Sequence, residues 1–162
     1  MKWKLLQIFA ILFLVGVTKI WAQTRVGAGL VYGTEIESLG INANSQFFVR
    51  KDIAIAPDIV YFLTNDLGGG LERNWFDINL NGHYYFEGRE VQPYVLIGLN
   101  YVINSVDSNF RSDNNTDIGM NIGGGANILI GGNLIPFAEM RFVIGNAKQV
   151  VFGGGVRLNI NG

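Results

Sequence analysis

Cysteine is absent from all 162 residues, which excludes disulfides, thiolate metal sites, cysteine nucleophiles and a lipoprotein anchor. Charge is scarce too. Asp, Glu, Lys and Arg together make up 15% of the chain, where a soluble domain carries about 25%. Histidine occurs once and proline three times. Glycine, by contrast, is abundant at 22 residues but follows no collagen period.

Residues Met1 to Ala22 have the make-up of a secretory signal peptide. Lys2 and Lys4 precede an apolar stretch from Leu5 to Val17, and the small Ala22 offers a cleavage point before Gln23. An uncleaved anchor is the competing reading, opposed by an apolar run shorter than the roughly 20 residues a spanning helix needs. Without the signal, 9 basic residues face 13 acidic ones, a net charge of −4. No basic stripe or tail is present, so nucleic acid is not expected as a partner.

What the chain does have is alternation. From Trp75 to Phe86, one parity carries Phe76, Ile78, Leu80, Gly82, Tyr84 and Phe86, and the other Asp77, Asn79, Asn81 and His83. A period of two marks a strand with one apolar and one polar face, and this length suits a tilted bilayer crossing. The pattern recurs in eight segments, Arg25–Gly33, Gly40–Arg50, Ile53–Thr64, Trp75–Phe86, Val91–Asn104, Asp117–Ile130, Leu134–Ile144 and Gln149–Ile160. Links after the second, fourth and sixth are tight, and Gly131-Gly132-Asn133 is a strong hairpin signal. Asn65–Asn74 and Ser105–Thr116 read as longer polar loops. Short turns at one end and longer loops at the other match an outer-membrane barrel with periplasmic turns. The expected fold is all-β, an eight-stranded antiparallel up-and-down transmembrane barrel over residues 23–162, after a signal peptide over 1–22.

Alternation alone leaves open a soluble barrel of lipocalin type, with its apolar face inside. The polar parity decides between them. It carries Arg50, Asp58, Asp77, His83, Asp117, Glu139, Arg141 and Arg157 among many Gly and Asn, and no lysine. A solvated exterior would be rich in Lys and Glu, so these residues form the candidate lumen cluster and the charge-free parity faces lipid. Aromatics agree. Tyr32, Tyr61, Phe76, Tyr101, Phe142 and Phe152 fall toward the outer rim, and Phe47, Tyr84 and Phe86 toward the periplasmic rim, as two lipid-interface girdles. Lumen glycines on strands one, six and eight sit across from Phe48, Phe62, Trp75, Tyr85 and Tyr94 on strands two to five. Bulky side chains packing toward a glycine wall predict a filled core.

The stretches Pro93–Leu99, Asn121–Ala126, Pro136–Phe142 and Phe152–Leu158 resemble the small eight-stranded outer-membrane barrels of OmpA/OmpX type and their porin-like relatives. The resemblance implies a bacterial outer-membrane protein whose partners are outer-membrane lipid and the barrel-assembly machinery, with loop-mediated contacts open. It implies a structural or interaction scaffold with at most a narrow pore, and no enzyme. One departure is the ending Asn159-Ile160-Asn161-Gly162, where such barrels usually close on an aromatic residue. The alternative is a lipid-handling or apolar-ligand barrel, lipid-A-modifying or lipocalin-like. A barrel deacylase needs an outward histidine with a serine and a carboxylate, whereas His83 falls on the lumen parity and is followed by Tyr84-Tyr85. Asp113–Asp117 has calcium-loop spacing, but its glycine comes one place late and the twelfth position is Gly124, so a solvated loop is expected. Neither cofactor nor metal is expected.

Overall fold

The computed structural model describes residues 23–66, 72–108 and 111–160. The predicted signal segment and the Gly68-Gly69-Gly70 run lie outside the described residues. Eight strands follow in order, β1 (Thr24–Gly33), β2 (Ser38–Phe48), β3 (Ile53–Asp66), β4 (Glu72–Tyr85), β5 (Val91–Ser108), β6 (Arg111–Ile128), β7 (Leu134–Gly145) and β8 (Gln149–Asn159). Each pairs antiparallel with its sequence neighbours, and β1 pairs with β8 to close the barrel. Closure leaves no edge in the spanning region, which an environment without water requires.

Faces sort as the period-two pattern predicts. Leu30, Ile41, Ile59, Leu80, Ile97, Ile122 and Leu158 all point outward and are exposed, an apolar belt that no water-soluble surface would carry. Leu80 is 53% exposed while its neighbour Asn79 is 1% exposed, so inside and outside are unambiguous. Tyr32, Tyr61, Tyr101, Phe142 and Phe152 lie on the belt toward the loop end, with Phe76 half-buried among them. Phe47, Tyr84 and Phe86 ring the opposite end, where Gln23 and Ile160 also lie.

Two stretches read as loops are strand. Asn65 and Asp66 continue β3 and pair with Arg73 and Glu72, after a register shift beyond Phe62. Ser105–Ser108 pairs with Arg111–Asn114, so β5 and β6 run on as a polar hairpin. The outward parity of β5 is apolar through Ile103 and turns polar at Ser105. There the hairpin leaves the belt, and backbone pairing carries it on. The calcium-like Asp113–Asp117 lies inside β6, where an extended backbone cannot curl around an ion.

Arginine at Leu80, midway along β4, should destabilise the barrel by roughly 2–4 kcal/mol, against about 0–1 kcal/mol for Leu134→Arg at the turn-end rim. Urea titrations of folding in lipid vesicles read both. Equal costs would place Leu80 away from the midplane.

Candidate functional site: the packed lumen

The inward parity fills the barrel in three layers. At the loop end, Val31, Val60, Phe62, Trp75, Val143 and Val151 form a buried apolar cluster. Ile36, in the link between β1 and β2, folds inward over it and is 2% exposed. Ala147 does the same from the last loop. The barrel is thereby capped with hydrocarbon on the inside.

Below the cap lies a polar layer centred on Asp58. Its Oδ1 accepts hydrogen bonds from Arg141 Nη1 at 3.0 Å and Asn79 Nδ2 at 2.8 Å, and its Oδ2 accepts one from Asn42 Nδ2 at 2.8 Å. Asn79 Oδ1 accepts in turn from Asn100 and Asn121, both at 2.8 Å, and Asn121 also donates to Asn81 at 2.9 Å. Asp77 accepts from the Trp75 indole and from Gln149. Arg141 and Asp58 are both nearly inaccessible, with side-chain exposures of 3% and 6%. They belong to β7 and β3, four strands apart around a ring of eight, so their ion pair is a strut across the diameter.

The turn-end layer is built on Arg157. It donates to Asn44 Oδ1 at 3.1 Å, Asn127 Oδ1 at 2.6 Å and Tyr94 Oη at 3.2 Å. Its Nη2 lies 3.5 Å from Glu139 Oε2, and its guanidinium lies 3.7 Å from the Phe137 ring centroid. Tyr94 donates to Glu139 at 2.6 Å and stacks on His83 with centroids 4.8 Å apart. Glu139 also approaches Arg141 at 3.6 Å, which links this layer to the one above. Nearest the rim, Arg25 lies over Phe48 at 4.7 Å.

The glycine wall has a steric cause. A methyl at Gly125 would sit 2.6 Å from Tyr94 Oη, and one at Gly27 would sit 2.7 Å from Arg157 Cγ. Both large side chains lie where only a residue without Cβ leaves room.

Of the predicted cluster, Asp58, Asp77, His83, Arg141 and Arg157 are buried in the lumen, and Glu139 is half-buried beside them. Arg50 is corrected. β2 ends at Phe48, and Arg50 stands in the following turn with its side chain 69% exposed, 3.2 Å from Asp52. Its polar parity continued past the last ladder pair, where the chain had already turned to solvent. Asp117 sits near the loop end, half-buried, with Asn115 donating to it at 3.0 Å, apart from the Asp58 network. The asparagines and Arg25 were missed as members of the cluster. Their shared parity was the available signal.

His83 has no serine or carboxylate among its hydrogen-bond partners in the described residues. Its Nδ1 lies 3.1 Å from Tyr85 Oη and 3.4 Å from Gln46 Nε2. One gap within the lumen, about 10 Å³ beside Asn42, Asn44, His83 and Arg157, has the volume of about one water molecule. This arrangement can seal and brace; it presents no activated nucleophile.

No protein-family model matches the chain, and no curated protein matches it in sequence. Solved structures do. The N-terminal β-barrel domain of Pseudomonas aeruginosa OprF aligns with a TM-score of 0.71 at 18% identity, covering 86% of this chain and 99% of that one. Neisserial surface protein A aligns with a TM-score of 0.68 at 18% identity, covering 86% and 97%. The outer membrane enzyme PagL aligns with a TM-score of 0.52 at 11% identity, covering 84% and 99%. The fold is therefore that of the small eight-stranded outer-membrane barrels, and that fold admits both enzymes and non-enzymes.

Asp58→Asn should cost about 3–5 kcal/mol, because it removes the nearest carboxylate from the buried Arg141 charge. Glu139→Gln should cost less, since Arg141 keeps its 3.0 Å partner and Arg157, though it loses its carboxylate at 3.5 Å, keeps its hydrogen bonds to Asn44, Asn127 and Tyr94. Urea midpoints of the two variants check the order, and the double variant Asp58→Asn/Arg141→Met should recover much of the loss.

Proposed function

We propose that this chain is a bacterial outer-membrane scaffold barrel, closed to solutes, that acts through what it presents at the surface and not through chemistry in its interior. The signal peptide over residues 1–22 and insertion by the barrel-assembly machinery belong to this reading. The observation that carries it is the lumen, plugged by hydrocarbon at one end, aromatic and arginine side chains at the other, and a braced ionic layer between. Eight strands enclose an interior that side chains can just fill, whereas open aqueous channels need about 16.

The taller wall supports a role in contact. β6 pairs with β7 only up to Gly119↔Gly145, so among the described residues Arg111–Ile118 pairs with β5 alone. That leaves a strand edge that rises out of the apolar belt beyond Thr116, a form suited to receiving another strand. The enzymatic alternative draws no support from His83, which is 4% exposed and stacked in the lumen.

Vesicles containing the folded barrel should take up a disaccharide no faster than protein-free vesicles in a swelling assay. Rapid uptake by the monomer would make the protein a porin and overturn this reading.

A further inference from the structure

One trough in the lipid-facing surface has a simple cause. Along β4 the outward row runs Phe76, Ile78, Leu80, Gly82, Tyr84, and at Gly82 the row loses its ridge. A methyl placed there would meet only the Ile97 carbonyl oxygen, at 3.7 Å, so crowding does not demand glycine, unlike at Gly125 or Gly27. The trough measures about 450 Å³ and is walled by Ile53, Tyr84, Val95, Ile97 and Ile122. At the turn end lies a cleft of about 600 Å³ lined by Arg50, Lys51, Asp52, Tyr84, Phe86 and Glu87. Tyr84 walls both.

From trough to cleft the chemistry changes as it does along a lipid. The trough is hydrocarbon throughout. The boundary is marked by the Tyr84 and Phe86 rings, edge-to-face with centroids 5.2 Å apart, at the depth where aromatic girdles meet headgroups. The cleft then offers two cations and two carboxylates, of which Arg50 and Asp52 face each other at 3.2 Å, so that a zwitterionic head can exchange into that pair without leaving a net charge. We propose that trough and cleft form one binding site for a zwitterionic phospholipid of the turn-side leaflet, with a phosphate and a primary ammonium in its head. The phosphate meets Arg50 and Lys51, the ammonium meets Asp52 and Glu87, and one acyl chain lies over Gly82. Hydrocarbon is the medium against this face, so an acyl chain is what fills the trough. The balanced cleft selects the head, because a purely anionic head would leave Asp52 and Glu87 facing like charge. This site goes beyond the scaffold reading and requires only that the apolar belt face lipid.

Native mass spectrometry of the folded barrel, released from micelles doped with equimolar phosphatidylethanolamine and phosphatidylglycerol, tests it. One phosphatidylethanolamine should be retained in preference to phosphatidylglycerol. Gly82→Leu, which fills the trough, and the pair Arg50→Glu/Lys51→Glu should each lower retention about tenfold, the equivalent of ~1.4 kcal/mol. Ala28→Leu, which enlarges an exposed residue on β1 across the barrel, should leave retention unchanged. Heat-modifiable gel mobility reports folding, and Gly82→Ala stands in should the leucine variant fail to fold. Equal retention by wild type and the Gly82 variant overturns the proposal. So does an equal loss in Ala28→Leu, or a preference for phosphatidylglycerol.

Discussion

A backbone polar group in hydrocarbon has no water to fall back on, and the rest of this structure follows from that constraint. It requires a sheet without edges, hence the β1–β8 ladder. With eight strands, the closed sheet encloses a space the width of a few side chains. The inward residues then bond largely to one another, and the gap beside Asn42, Asn44, His83 and Arg157 has the volume of about one water. Asparagine suits such a place. Its amide both donates and accepts, and Asn79 uses that property to donate to Asp58 while accepting from Asn100 and Asn121, which joins four strands in one network.

The three-layer lumen reconciles two opposed demands. Buried charge is tolerated only when paired and hydrogen-bonded, and Arg141 and Arg157 each reach acidic partners. Apolar and aromatic layers at either end keep bulk water from those pairs, which strengthens them. Outside, the same strands meet lipid with Leu, Ile and Val, so the chain is apolar on its surface and polar at its centre.

Much of this was legible in the sequence because the strand period is two and the charges fall on one parity. That sorting separates Leu80 from Asn79 without coordinates. Strand ends were less legible, for a physical reason. Beyond the lipid belt the outward face no longer has to be apolar, so the pattern lapses while hydrogen bonding continues, as at Ser105–Ser108. The reverse error occurred at Arg50, where parity persisted after the ladder had stopped. The inward folding of Ile36 left only the trace of an isoleucine in a polar link. Nor could the sequence show that Asp58 meets Arg141, since they lie 83 positions apart and touch only across the closed ring.

That strut bears on how the barrel comes together. Asp58 and Arg141 stand on opposite walls, so a sheet that has not curled far enough to join β1 to β8 holds them farther apart than the finished ring does. Until the seam shuts, each charge needs water, and water is scarce in the membrane interior. The finished ring gains both the β1–β8 backbone pairing and the neutralised charge. The ion pair therefore ties the curl of the sheet to its charge, since the full ring brings the two walls to bonding distance and a flatter sheet leaves both charges apart.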